Sequence, residues 1–537
     1  MIYDRQHNLI IYDVVNPALF CNVVPGAFPL VNGHVAAPVN LLNLQRLRSL
    51  GLPVFRWLDD NYDWPHSPCV DFDKKTFECQ KDRACFLTAH PRAYDLSDPG
   101  TGKTLTALWS ADALMTEYSR MGQRVRAIIA ATLSTLDDTW ARELTTHFLG
   151  RRTFAILHGT ADKREKELAR DVDFYIINHD GLKTGVYRGN RNQLVFDGFA
   201  AALEKRNDIR IAIVDEIGMY RNSSTLRHRI GRRLLSSRDY FWGLTGTPIP
   251  QSPEDAHGVR KLKDPLWPET KASWRSKVMV QLNENLWRPK PSAAQTVAET
   301  LTPAIRYPFS DETVPSMLPP DLRKVELTPE QNKLLRELKR ELYVQFKDGG
   351  EIEAINEAAA RTKFLQIMAG VVYDSNHKEH ALPCSPRLQA LKEAIFETQQ
   401  KVIVFASFTS VVHMLYEFIN EHVRPASFVI GATSKDQRKD LFTRLRNSPD
   451  LQVLVADPVP ISHGLNFPQA DTVIWYTATD KADSYEQGNQ RIRRPGQKFP
   501  QRIIQIYSSP VEREIFHRLD NSLSLQGAML KLIEDRK

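Results

Sequence analysis

A short, nearly continuous apolar run rich in β-branched residues, followed by a helical stretch, recurs along this chain. The first set of runs is Arg126–Ala131, Phe154–His158, Phe174–Asn178, Ile209–Asp215 and Phe241–Thr245. The second is Val402–Ala406, Phe428–Gly431, Val453–Asp457, Val473–Tyr476 and Ile503–Tyr507. Unbroken apolar strands separated by helices indicate parallel sheets covered on both faces. Two such sets, well separated along the chain, predict two α/β domains in tandem.

The helical stretches agree. After Thr104, the residues Ala107, Leu108, Ala111, Leu114, Met115 and Tyr118 fall on one helical stripe. Ser385 followed by Pro386 predicts an N-cap and first turn, with Leu388, Leu391 and Ile395 facing inward. Between the two sets, Pro329 opens an amphipathic helix through Leu334, Leu335, Leu338, Leu342 and Phe346, ending near Gly349-Gly350. The proline-rich stretch 289–320 reads as connector. The first 75 residues differ in texture: a strand over Leu9–Val14, a Pro/Gly-rich turn, and a helix from Asn40 to Leu50 closed by Gly51. They are expected to form a small α+β accessory domain.

Composition narrows the class. The 537 residues are 42% hydrophobic and 25% charged, ordinary for a globular protein and unlike disordered, collagenous or coiled-coil chains. No apolar run approaches the ~20 residues of a membrane helix. The start, Met1–His7, has a carboxylate and no hydrophobic core, so no secretory signal is expected and an intracellular, cytoplasmic protein is. A net charge of +7 suits a polyanionic partner without demonstrating one. Five cysteines without a CxxC argue against a disulfide framework. The sets His66, Cys69, Cys79, Cys85 and His377, His380, Cys384 match no zinc-module spacing.

The chemistry-bearing stretch is Leu96-Ser97-Asp98-Pro99-Gly100-Thr101-Gly102-Lys103-Thr104, placed between an apolar run and a helix. Glycines let successive backbone N–H groups turn onto a phosphate, and the helix N-terminus adds positive potential. Lys103 supplies a point charge, and Thr104 a hydroxyl for Mg²⁺. Ser97 stands where the pattern usually has its first glycine. A second strand-end acid is needed to hold the metal, and Ile209–Val214 runs into Asp215-Glu216. Asp215 would hold Mg²⁺ through water, and Glu216 would orient and deprotonate the attacking water. Charge developing on the γ-phosphate needs a cation. The stretch Gln487 through Arg491 and Arg494 to Gln497 offers two arginines three apart, which lie on one helical face and can both reach a single anion.

Assembled in order, these residues resemble the Swi/Snf-like ATPases of helicase superfamily two, from about Phe77 to Tyr507. Thr76–Gln80 looks like the upstream adenine-reading motif, with Gln80 on the base. Ala131–Trp140 followed by Glu143 is similar to motif Ia, which approaches the nucleic-acid backbone. Asp215-Glu216 continues through Arg221–Ser224 as the motif II extension, and Leu244–Ile249 matches motif III. Leu318-Pro319 and Val325–Gln331 resemble the family's connector. Val404–Phe408, the stretch from Gly431 through Arg438 to Phe442, and His463–Asn466 resemble motif IV, the stretch after it, and motif V. Gln487, Arg491, Arg494 and Gln497 occupy motif VI. Gly218 departs from the His usual after motif II.

The resemblance implies two RecA-like lobes: residues 76–310 as the ATP-binding lobe, and residues 311–537 as the second, with a helical insertion over 329–372. ATP with Mg²⁺ would be bound by Gln80, Pro99, Gly100, Thr101, Gly102, Lys103, Thr104 and Gln497. Lys103, Asp215, Glu216, Arg491 and Arg494 would carry the chemistry. Ser134, Arg221, Arg438 and Asn466 would contact the nucleic-acid backbone, so binding would be largely sequence-independent. The implied activity is translocation on double-stranded or forked DNA by a monomer, with fork remodelling, strand annealing or displacement of bound protein as outputs. A strand-separating helicase and an inactive DNA-binding scaffold are the alternatives. The absence of large lobe insertions resembles bacterial or bacteriophage members and makes nucleosomes an unexpected substrate.

Overall fold

A computed structural model describes the chain apart from residues 5, 66–73, 191–192, 284–286, 309–314, 348–353, 374–377, 459–466, 468, 480, 494–496 and 535–537. The described residues divide into two units, one of residues 1–308 with 526–537 and the other of residues 309–525.

The first unit is built on a seven-stranded parallel sheet. Its strand order is Ala304–Ile305, Arg92–Asp95, Tyr240–Leu244, Ile209–Asp215, Arg126–Ala131, Phe174–Asn178, Phe154–Leu157. The five apolar runs expected here are strands, and Arg126–Ala131, Phe174–Asn178 and Ile209–Asp215 keep their expected limits. The strand expected before the glycine-rich loop is Arg92–Asp95, with a charge at each end, whereas Ala304–Ile305 was not expected and lies in the stretch read as connector, which also holds the helix Ala293–Thr300.

The helix after the phosphate loop, Lys103–Arg120, buries its expected stripe and its opposite face as well, including Trp109, Asp112 and Ala113. The second face is covered by the N-terminal segment. There the strands Ile2–Asp4, Leu9–Asp13, His34–Pro38 and Phe28–Pro29 form an antiparallel sheet, and Leu41–Ser49 is a helix capped by the Asn40 side chain. Trp109 Nε1 donates to the Pro65 carbonyl at 2.7 Å, and Tyr62 Oη donates to Asp112 at 2.6 Å. Gln45 Nε2 donates to the Thr88 carbonyl and its Oε1 accepts from Tyr240 Oη. Apolar residues of the N-terminal segment and of the larger sheet form one continuous core.

The second unit carries a six-stranded parallel sheet in the order Asp321–Lys324, Arg502–Tyr507, Ala470–Trp475, Lys401–Phe405, Val453–Ala456, Ala426–Val429. Each of its five expected runs contributes a strand. Both units therefore have the RecA-like arrangement of a parallel sheet flanked by helices. The insertion consists of the helices Pro329–Lys347 and Ala354–Ala369, which meet through Leu335, Ile367 and Met368. Gly349-Gly350 lies outside the described residues. Ser385 is the first residue of the helix Ser385–Phe396 rather than its cap, and Cys384 takes the cap position without a side-chain bond. Arg387 replaces that polar anchor: it is buried, paired with Glu512 at 2.8 Å, and bonded to the Tyr476 and Ile506 carbonyls.

Among the described residues, no helix is long and apolar enough to cross a membrane, and no group of three metal-ligating side chains converges. His66, Cys69 and His377 fall outside them.

Two histidines of the first unit are held neutral by burial, which pushes each imidazole down to about 4. His90 faces the Phe86 carbonyl through Nδ1 and accepts from Arg48 through Nε2, while His228 Nε2 faces the Gly258 carbonyl. Below pH 6.5 the unfolded chain binds protons that the folded chain does not, so stability falls as pH drops from about 6.5 to about 4. The slope is about 1.4 kcal/mol per pH unit for each histidine. Urea unfolding across this range should show His228→Gln, which keeps a donor for Gly258, with a pH slope shallower than wild type by one histidine's share.

Candidate functional site

The carboxyl ends of the first unit's parallel strands gather the polar residues of the site. Strand Arg92–Asp95 leads through Leu96 and the loop 97–102 into the helix Lys103–Arg120. Gly100 and Gly102 sit at φ +86° and +80°, conformations that side chains resist. A Cβ at Gly102 would also lie 2.1 Å from Gln80 Nε2, so the loop closes only around glycine. Lys103 Nζ donates to the carbonyls of Ser97 at 2.8 Å and Asp98 at 3.1 Å. Burial lowers its pKa, while Asp95, Glu216 and Asp215 oppose that shift. Thr104 is half-buried on the first helical turn.

Ser97, in place of a glycine, has a use of its own: its Oγ accepts from the Tyr307 N–H at 3.0 Å. Arg306 pairs with Asp98 at 2.9 Å, so residues 306–307 fasten the start of the loop. Pro99 packs against Gly246, where a Cβ would come within 2.8 Å of the proline ring.

Gln80 lies on the helix Lys74–Ala89 and is buried against the loop, Nε2 donating to the Thr101 carbonyl at 3.4 Å. Its Oε1 is buried with no partner among the described residues. Arg83, one turn further on the same face, is fully buried. It pairs with Asp95 at 3.3 Å and donates to Thr101 Oγ1 at 3.1 Å and to the Thr101 carbonyl. Sequence reasoning missed Arg83; its spacing of three from Gln80 on a helix is the signal that would have found it.

Asp215 ends the strand Ile209–Asp215 and accepts from Trp140 Nε1 at 3.1 Å. Burial, then the adjacent Glu216 carboxylate, pushes Asp215 up to about 6. Trp140 ends the segment likened to motif Ia, which was expected to approach the nucleic-acid backbone through Ser134. Trp140 is wholly buried in a π-helical turn, Leu136–Ala141, whose extra residue per turn brings the indole N–H inward. Glu216 adopts a left-handed backbone, φ +47°, and accepts from Thr245 Oγ1 at 3.0 Å. Thr245 Oγ1 in turn accepts from the Thr247 N–H. A Cβ at Gly218 would lie 3.3 Å from the Thr247 carbonyl, so the position usually held by His sits directly against motif III.

The expected nucleic-acid residues are less uniform. Ser134 is half-buried beside Thr132, 3.4 Å between hydroxyls. Arg221 is half-buried, with Nε 3.9 Å from Asp255. Arg438, in the second unit, folds back on its own loop, Nε donating to the Thr433 carbonyl at 2.8 Å. Asn466, with His463, lies outside the described residues, as does Arg494.

Motif VI departs from expectation in two ways. The helix Ala482–Asn489 ends before Arg491, so Arg491 does not continue its face. Arg491 is buried, and its carbonyl accepts from the Phe467 N–H at 3.0 Å. Gln497, expected at the nucleotide, has its amide fully engaged: Nε2 donates to the Ala470 and Ile492 carbonyls, and Oε1 accepts from the N–H groups of Lys498 and Phe499. It is a clamp on its own loop.

The SNF2-related domain profile matches residues 96–380, and that of the helicase conserved C-terminal domain matches residues 386–496. Among curated proteins, helicase swr1 of Schizosaccharomyces pombe is 26% identical over 145 residues, 27% of this chain and 11% of that one. Transcription regulatory protein SNF2 of Saccharomyces cerevisiae is 28% identical over 137 residues, 25% of this chain and 8% of its own. The chain thus spans about a tenth of the length of these relatives. Among solved structures, the Sulfolobus solfataricus SWI2/SNF2 ATPase core in complex with dsDNA aligns over 88% of this chain and 96% of its own, at 19% identity and a TM-score of 0.40.

The Arg83–Asp95 pair yields a stability test. Arg83→Leu leaves Asp95 buried without its partner, and should lower the unfolding free energy by about 3–5 kcal/mol, read from chemical denaturation of the full chain.

Proposed function

The chain belongs to the SNF2-related family, and from that premise we propose that it is an ATP-dependent motor that translocates on double-stranded DNA. The observation that carries this reading is the convergence at one sheet edge of the loop 97–102, Lys103, the Asp215-Glu216 pair and the partnerless oxygen of Gln80. A buried amide oxygen without a donor suits the exocyclic amine of adenine. Two adjacent carboxylates, one with a raised pKa, suit a site completed by a cation. The residues present therefore fit ATP with Mg²⁺.

Pro99, Gly100, Thr101 and Gly102 would wrap the phosphates with backbone N–H groups, and Lys103 would exchange its two carbonyls for phosphate oxygens. Thr104 and Asp215 would hold Mg²⁺, which when bound neutralises phosphate charge. Glu216, aimed by Thr245, would orient the attacking water and take its proton. Trp140 keeps Asp215 in place by a bond to one carboxylate oxygen. Arg491 and Arg494 of the second unit would stabilise charge on the leaving phosphate, which makes hydrolysis dependent on both units. Ser134, Arg221, Arg438 and Asn466 would meet DNA phosphates, Arg438 after releasing its loop carbonyls. Gripping backbone rather than bases gives sequence-independent binding that weakens steeply with salt.

The deciding experiment compares ATP turnover with no DNA and with single-stranded, duplex and forked DNA. Duplex or forked DNA should stimulate turnover at least tenfold; turnover at background level with saturating duplex would overturn the motor reading. Lys103→Ala should reduce hydrolysis to background. Glu216→Gln should retain ATP affinity, measured by fluorescent-nucleotide titration, while turnover falls by about 10²-fold or more. Arg491→Ala should leave affinity within a few-fold and slow hydrolysis by on the order of 10³-fold.

A further inference from the structure

The edge strand Ala304–Ile305 pairs in parallel with Arg92–Asp95, and the pairing runs on past both strands into the start of the phosphate loop. The N–H groups of Tyr94, Leu96 and Asp98 donate to the carbonyls of Pro303, Ile305 and Tyr307 at 3.1, 2.8 and 3.1 Å. Every second residue on the approach to the loop is therefore strung on 303–307. In a regular parallel ladder the Tyr307 N–H would go to a backbone carbonyl. Here the Ser97 hydroxyl accepts it at 3.0 Å, and the Leu96 carbonyl accepts instead from the Arg306 guanidinium at 3.0 Å. Glycine at position 97 would offer the Tyr307 N–H no such acceptor.

Two side chains extend the hold. Arg306 pairs with Asp98 at 2.9 Å, with both side chains nearly out of water at 12% and 13% exposure, where salt screens an ion pair little. Tyr307 Oη donates to the Asp82 carboxylate, two residues beyond Gln80 on the helix Lys74–Ala89. Tyr307 thus ties two elements together: its backbone holds Ser97 and Asp98, and its side chain holds the helix that carries Gln80. Gln80 and Arg83 join the same helix to Thr101, near the other end of the loop. Lys103 also rests on the Ser97 and Asp98 carbonyls, but those bonds are the ones a phosphate would take over. The bonds from residues 306–307 use atoms that a phosphate does not need.

We propose that Arg306 and Tyr307 are positioning residues for the nucleotide: they fix the span between Gln80 and the phosphate loop, and through it the affinity for ATP and its selection over GTP. The inference rests on the nucleotide site proposed above and deepens it, and it needs no DNA contact. Guanine carries a carbonyl where adenine carries its exocyclic amine. A buried acceptor such as Gln80 Oε1 separates the two only while its distance from the bound phosphates is held.

The test uses the full chain and equilibrium titration of fluorescent ATP and GTP analogues with Mg²⁺, beside turnover at saturating ATP and thermal unfolding. Tyr307→Phe removes the hydroxyl and keeps the ring. Ser97→Gly removes the acceptor of the Tyr307 N–H and restores the glycine usual in the pattern. Tyr307→Phe should weaken ATP about tenfold and GTP by no more than about twofold, so that the preference for ATP shrinks while saturated turnover stays within about twofold of wild type. Ser97→Gly should weaken ATP about fivefold, although it brings the loop closer to the usual sequence. If either variant binds ATP within twofold of wild type, the positioning role is overturned and the motor reading is untouched. Equal losses of ATP and GTP in Tyr307→Phe, or equal binding of the two by wild type, overturn it as well. If the wild-type chain binds neither nucleotide, both readings fall. If the variants behave as expected but wild-type turnover does not respond to duplex DNA, the positioning role stands and the motor reading falls.

Discussion

Charge collected at the carboxyl ends of a parallel sheet is the constraint around which the first unit is organised. Asp95 and Asp215 end the two strands that flank Tyr240–Leu244, Glu216 follows Asp215, and each of the three has its own donor. Arg83 serves Asp95, Trp140 serves Asp215, and Thr245 serves Glu216. Removing any one donor leaves a buried carboxylate to be neutralised by other means. The same donors shape the loop between them: the guanidinium that pairs with Asp95 also holds Thr101, and the strand end that carries Thr245 continues to Gly246, against which Pro99 rests. Electrostatic satisfaction and loop conformation are thus one problem with one solution.

Much of this was legible in the sequence, for a physical reason. Strands covered on both faces must be apolar throughout, and all ten expected runs contribute strands to the two sheets. The strands whose limits were not set in advance are those whose burial is achieved through specific partners or not achieved at all. Arg92 opens a central strand because three carbonyls, those of Ser236, Arg238 and Lys263, receive its guanidinium. Asp321–Lys324 is charged because it lies at a sheet edge, with Arg323 paired to Asp321 and Glu397. No periodicity announces such strands; their polar residues look like loop until the acceptors are known.

That the loop 97–102 and the acids Asp215 and Glu216 would lie together was equally readable, since glycine, lysine and paired carboxylates have few other reasons to occur in that order after a strand. Direction was harder. Gln497 was assigned to the nucleotide, and Trp140 to a motif with no target of its own, because a motif states which residues occur together and not which way each one turns. Trp140, in a π-helical turn, donates to Asp215, and the Ala470 and Ile492 carbonyls take up the Gln497 amide. Both outcomes depend on local backbone geometry that spacing alone does not encode.

The helix Lys103–Arg120 has the phosphate loop at one end and is walled in along its length, by the sheet on one side and by Tyr62, Trp64 and Pro65 on the other. Asp112, deep in that wall, also receives Arg151 and Arg152 from beyond the π-helical turn. The N-terminal segment therefore works as a splint on the element that carries Lys103. A trimmed fragment beginning at the Gln80 helix would keep Lys103, Asp215 and Glu216 and still expose Trp109 and leave Asp112 short of a donor, so the first unit needs the residues well upstream of Gln80 to close its core.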